Sequence, residues 1–308
     1  MPFKNVSQPK KVAELRGSVT GASYNKKLGA VAMIAHNPTE IAIVAESGGP
    51  KVFGTQLDDV TDIALISRDM AVVRSGDTLW SVLDLAHKAK IDQIATDVRL
   101  LVGPQGESAL GLKWDNSCEQ LTPGKNEIAL RNCALRGDHR AVDVGEVECY
   151  ALVEGGDGHG EFRIHPGATP EQGSLGKVAL PEAAKKLDRV RGGKFLSAIY
   201  KRGEATVCLV RRAGNRLEPK IVRLEAPVTD LAVADTSLLA ISKDGRVILY
   251  DSEAISNATE SRIEPKSETH LGCQGEPRVI VVAHAKIFVG TSLGEVVSAM
   301  LVRKQLMQ

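Results

Sequence analysis

Aromatic residues are scarce, only 4% of 308, too few for the stacking platforms that hold single-stranded nucleic acid. Neither charge sign predominates: 39 Lys and Arg stand against 38 Asp and Glu, a net charge of +1. A dedicated nucleic-acid binder carries a basic excess, because phosphate neutralisation supplies most of its affinity. No nucleic-acid partner is therefore expected. Long apolar runs are missing too. None approaches the roughly 20 residues of a membrane span, and "MPFKNVSQPKKVAEL" lacks the apolar core of a signal peptide. These absences lead to the expectation of a cytoplasmic chain with no membrane partner. The five cysteines, Cys118, Cys133, Cys149, Cys208 and Cys273, are odd in number and show no CxxC spacing. That argues against a zinc site or a disulfide framework and for small buried hydrophobes in a reducing setting.

Catalytic signatures are also missing. There is no GxSxG, no glycine-rich loop ahead of Lys-Ser/Thr and no HExxH. The glycines of "GPQGESALG" and "GSLGKVALP" do not sit between a strand and a helix, as phosphate binding needs. No cofactor is expected. The most suggestive polar stretch is "GGDGHGEFRIH", residues 155 to 165. Asp157, His159, Glu161 and His165 are usable ligands for a divalent ion, and strand alternation sends His159 and Glu161 to one side. A solvated glycine-rich hairpin accounts for the same residues, and no second ligand cluster supports a metal, so none is expected.

What is present is a repeat. "VTDLAVADTSLLAISKDGRVILYD" (228 to 251) reads as three short strands joined by Asp- and Gly-bearing turns. "VTDIALISRDMAVVRSGDTLWSVLD", from Val60, is close to a copy. The two starts lie 168 residues apart, four steps of roughly 42, and a period of about 40 to 45 residues is the spacing of propeller blades. Units begin near 18, 60, 98, 140, 188, 228 and 276, and the last lacks a fourth strand. "KKVAELRG", residues 10 to 17, is left over at the other end. Pairing it with the last sheet closes the ring and removes two exposed edges. The expected fold is all-β: a single seven-bladed β-propeller over residues 5 to 308. Two segments strain this scheme. "PEAAKKLDRV" (181 to 190) has a helical pattern after proline and reads as an excursion between blades. "AHKAKIDQIATD" (86 to 97) reads as a turn leading to an outer strand. Two domains joined near 180 are the alternative organisation.

"DGRVILYDSE" resembles the third strand of a WD40 repeat, with Tyr250-Asp251 where that family has Trp-Asp. "SGDTLWSVLDL" is similar, with Leu83-Asp84 in the same place. The resemblance is clearest in units two and six and weakest between 98 and 190, and the family's Gly-His dipeptide is missing from every unit. It implies a rigid disc that binds proteins or peptides.

In a propeller, the turn between the second and third strands of each blade shares a face with the loop entering the next blade. Here that face gathers Asp58, Asp59, Arg74, Asp77, Lys243 and Asp244, with His36, Asn37, Asp115, Asp157, His159, Arg202 and Glu204. It is mixed in sign and offers no matched acid and base, which suits specific protein contact better than catalysis. The expectation is a non-enzymatic scaffold or adaptor subunit with a protein or peptide partner. The alternatives are a propeller hydrolase or lactonase with a metal at the central channel, and a ligand-sensing or lectin-like disc. Asp62, Asp143 and Asp230 are the channel carboxylates the enzyme reading requires. Asp62 and Asp230 hold equivalent repeat positions, which points to a structural role. A basic edge, Lys201 and Arg202 with Arg211 and Arg212, is read as a solvated face or as a contact for an acidic partner.

Overall fold

The computed structural model describes residues 3–45, 49–83, 85, 90–103, 108–125, 127–133, 139–145, 148–154, 160–166, 174–258 and 262–303. Its strands form seven antiparallel sheets. Their first strands are Ser18–Asn25, Val60–Ser67, Val98–Val102, His139–Val144, Arg189–Arg191, Val228–Ala234 and Pro277–Ala283, and these open blades one to seven. Each first strand packs beside the next, and Pro277–Ala283 packs beside Ser18–Asn25. The chain is therefore a closed seven-bladed β-propeller rather than two domains.

Burial explains the patterning. Apolar side chains fill seven clusters, each lying between two adjacent blades. Inner strands are covered on both faces and read as continuous apolar runs, as in Ala30–His36, where six of seven residues are buried. Outer strands such as Lys51–Gly54 are mostly exposed. Each fully buried Leu, Ile or Val contributes about 1.5–3 kcal/mol, spread around the ring.

Six of the seven first strands carry the same irregularity. The register shifts between Val19 and Gly21, Val60 and Asp62, Val98 and Leu100, His139 and Ala141, Val228 and Asp230, and Pro277 and Val279. A bulge frees one residue from the ladder and re-aims its side chain. Three of the freed residues reach the next blade: Thr20 Oγ1 donates to the Val60 carbonyl at 3.0 Å, an Arg99 Nη to that of His139, and Arg140 Nη2 to that of Leu187 at 3.0 Å. These three pairs of consecutive blades are thus latched at one level, where first strands begin.

Closure uses more of the N-terminus than expected. Both Phe3–Val6 and Lys10–Glu14 pair antiparallel with the last strand, Glu295–Arg303, the first at its end and the second at its start. Phe3 and Val6 are buried in the cluster between blades six and seven.

Three local expectations need correction. The helical pattern of 181 to 190 yields one 3-10 turn, Glu182–Ala184, and then the strand Arg189–Arg191. Ala184, Leu187 and Val190 all enter the core between blades four and five, so a three-residue apolar spacing imitates a helix. A short α-helix lies instead at Ser252–Asn257, capped by Asp251, whose carboxylate accepts from Ala254 N–H at 2.9 Å. It buries only Ile255, too little to leave an apolar period. Blade three has a third strand, Cys118–Pro123, that its polar sequence conceals. The outer strand expected within 86 to 97 is Lys90–Ala95, while the turn expected before it, 86 to 89, lies outside the described residues.

Candidate functional site

The face on which the first strands begin is stitched by backbone hydrogen bonds. Within a blade, the turn after its second strand binds its own entry loop: Gly76 N–H donates to the Asp59 carbonyl at 3.2 Å, Trp114 to Asp97 at 3.0 Å and Ser292 to Glu276 at 2.8 Å. Between blades, Val98 N–H donates to Asp77 at 2.8 Å, Val228 to Glu204 at 3.1 Å and Leu15 to Gly294 at 2.9 Å. Gly294 has φ +86°, and a Cβ there would lie 1.8 Å from the Leu15 carbonyl oxygen, so ring closure requires glycine at this turn.

Asp58, Asp59, Arg74 and Asp77 come together on blade two. Ser75 Oγ donates to the Asp58 carbonyl, and His36 Nε2 lies 3.8 Å from Asp59 Oδ1. Asp58, Asp59 and Asp77 are exposed. Arg74 is half-buried, because its Nε donates to Asp62 Oδ2 at 2.8 Å and its Nη1 to the Gly76 carbonyl at 2.7 Å. Lys243 and Asp244 lie on the same face of blade six, with blades seven and one between them and the first group. Asp244 accepts from Ser242 Oγ and from Arg246 Nε, bonds that hold its carboxyl below the usual range. Lys243 is exposed.

The first strands line a central cavity of about 380 Å³. Two of its carboxylates, Asp230 and Asp143, join blades. Asp230, fully buried, accepts from Arg191 Nη2 at 3.3 Å, from the Tyr200 hydroxyl, and from Ile280 N–H at 3.1 Å. Blades five, six and seven therefore meet at one side chain. Burial opposes its charge, but Arg191, Arg202 and these hydrogen bonds outweigh burial and hold the carboxyl below the usual range. At Asp143 burial wins over Arg191 and pushes the carboxyl up, although Gly192 N–H donates to it at 2.7 Å. Asp62 is occupied by Arg74.

Four residues at this cavity stand out. Arg140, Arg189, Arg202 and Trp114 line it together on blades three to five. Trp114 is one of two tryptophans and is 68% exposed. Sequence reading singled out only Arg202 among them, because nothing in a strand's own residues shows which neighbours the ring will bring beside it. The neighbouring Asp115, expected on this face, accepts from Ser117 Oγ at 2.6 Å.

Of the stretch weighed for a metal, Asp157 and His159 lie outside the described residues. Glu161 is paired with Arg163 and, at 3.8 Å, with Lys177. His165 is buried, and burial lowers its pKa, which favours the neutral ring. Among the described residues no group of His, Cys, Asp or Glu has metal-binding geometry. On the basic edge, Arg212 is held by Glu148 of blade four at 2.5 Å, and Lys201 lies 3.6 Å from Glu204.

The cysteines depart from expectation. Cys118 is disulfide-bonded and stands directly opposite Cys133 in the strand register. Cys149, Cys208 and Cys273 are free, and burial pushes the Cys149 and Cys208 thiols up to about 12. Among the described residues no helix is long and apolar enough to cross a membrane.

No family profile and no curated protein matches this sequence. Among solved structures, the chain is similar to the computationally designed Ika8 protein, with a TM-score of 0.54 at 14% identity. The match covers 95% of this chain and 98% of that one. That likeness supports the propeller fold and nothing finer.

Proposed function

We propose that this propeller is a non-enzymatic, WD40-like interaction scaffold, an adaptor subunit that presents the face where its first strands begin to a protein or peptide. The observation that carries this reading is the network of backbone bonds across that face. Turns fixed before binding lose little conformational entropy when a partner docks. The exposed charges Asp58, Asp59, Asp77, Lys243 and Asp244 stand on those fixed turns and supply specificity rather than bulk affinity. Arg74 serves the surface from beneath, by holding Asp62 and the Gly76 carbonyl. The hydrolase alternative needs a free acid and base or a metal at the channel, and there Asp230 and Asp143 are engaged in inter-blade bonds and Asp62 in a pair with Arg74. The cytoplasmic setting expected from the cysteine pattern meets contrary support in the Cys118 disulfide, since such bonds persist mainly in oxidising compartments.

The test is capture of partners from native lysate by the wild-type chain and by an Asp58→Lys, Asp77→Lys, Lys243→Glu variant, with cross-linking to locate the contact. Circular dichroism serves as the folding control. Loss of a central charged contact costs roughly 2 kcal/mol or more, so a well-folded variant should release its partner. Full retention, with cross-links on the outer strands or the opposite face, would overturn the choice of surface.

A further inference from the structure

The charges lining the channel mouth do not balance. Four aspartates line the cavity: Asp62, Asp143, Asp188 and Asp230. Asp62 is paired with Arg74, and Asp230 with Arg191. Burial favours the neutral form of Asp143. Asp188 alone remains, against Arg140, Arg189 and Arg202. Arg140 donates to the Lys185 and Leu187 carbonyls, bonds that orient its guanidinium without cancelling its charge. Arg189 and Arg202 make no hydrogen bond or close ion pair among the described residues, although the charge of Arg202 also acts on Asp230. Beside this crescent, Trp114 leaves its ring in solvent while its backbone is tied to Asp97. Arginine and tryptophan are the residue types most enriched at binding hot spots, and an arginine fork matches a carboxylate. A concave wall with an excess of one sign also focuses field on an incoming anion.

We infer that the channel mouth on blades three to five is a binding site for an acidic segment of a protein partner, whose carboxylates meet Arg140, Arg189 and Arg202 while an adjoining side chain packs on Trp114. This rests on the scaffold reading and adds the partner's chemistry to it. The surrounding face decides between a peptide and a nucleic acid. Asp115 lies beside Trp114, and Asp58, Asp59 and Asp77 cover the adjoining blade two. A continuous phosphate chain leaving the mouth would run over these carboxylates. A polypeptide can change sign, with acid in the mouth and basic residues beyond it.

The test titrates the full chain at low salt with fluorescein-labelled hexaglutamate, followed by anisotropy, with hexalysine and hexathymidylate as comparison probes. Hexaglutamate should bind, hexalysine should not, and added salt should weaken the complex. Arg189→Gln with Arg202→Gln should weaken binding at least tenfold, and Trp114→Ala at least threefold, with unchanged circular dichroism. These positions avoid the inter-blade bonds of Arg140, so the variants should fold. Unchanged affinity in the well-folded variants, or hexathymidylate binding as tightly as hexaglutamate, would overturn the proposal. A cellular partner that survives all three substitutions would remove this site and leave the scaffold reading intact. Hexaglutamate binding without capture of any cellular protein would overturn the scaffold reading, and with it the protein origin of the acid.

Discussion

Asp230 ties three blades together through one carboxylate that is fully buried. Replacing it with Ala would leave Arg191, the Tyr200 hydroxyl and Ile280 N–H without their acceptor. Removing one member of a buried ion pair costs about 3–5 kcal/mol, so Asp230→Ala should lower stability by that order in denaturant titration. The pH dependence has a definite sign. The carboxyl is held below its unfolded value, so its contribution is fully present above the unfolded pKa, roughly 3.9, and is lost as pH falls through the folded value. The gap between wild type and Asp230→Ala should therefore narrow below about pH 4. A gap unchanged down to pH 2 would mean that the carboxylate charge is not what joins these blades. The sequence marked Asp62 and Asp230 as equivalent and structural, but it did not show their partners. Arg191 precedes Asp230 by 39 residues and Tyr200 by 30, and only the ring brings such positions together. Trp114, Arg140 and Arg189 escaped notice for the same reason, in the stretch where the repeat is faintest.

The closing strands carry the argument at the level of elements. Deleting residues 1 to 14 removes the whole outer edge of the last blade, leaves Glu295–Arg303 unpaired on that side, and uncovers the cluster that holds Phe3 and Val6. Unpaired strand edges recruit other chains. The truncated protein should therefore melt well below wild type and elute as larger species in size-exclusion chromatography. A monomer with an unchanged single transition would remove the closure role. Phe3→Ala alone should cost about 3 kcal/mol, as for other buried aromatics. Much at this scale was legible. "VTDIALI" and "VTDLAVA" form first strands of blades two and six, because Asp- and Gly-bearing turns and runs of β-branched residues are local signals. Phe3–Val6 was not, since a four-residue segment, two of them exposed, gives no period to read. The strand Cys118–Pro123 was missed because Glu119, Gln120 and Thr122 are only partly buried on an outer position of its blade.

For the whole molecule, the ring brings loops far apart in the sequence onto one surface. Seven apolar interfaces set the positions of the blades, and the latches from Thr20, Arg99 and Arg140 lock neighbours at the level where first strands begin. Backbone bonds then join entry loops to turns across that face. On the opposite face, first and second strands are joined by short turns within single blades, such as those around Arg68-Asp69 and Asp235-Thr236. Local opening free energy follows the bonds that must break, so the two faces should differ in hydrogen exchange. Amides of Leu15, Val98, Trp114, Val228 and Ser292 should exchange at least tenfold more slowly than those of Arg68, Asp69 and Thr236, and a bound partner should slow them little further. That follows because their order precedes binding, whereas a surface ordered by its partner would show large new protection on docking. Exchange measured by mass spectrometry or NMR on the free chain decides the point. Equal, fast exchange on both faces would mean that the bonds across the candidate surface do not make it rigid. The low entropic cost on which the scaffold reading depends would then be lost.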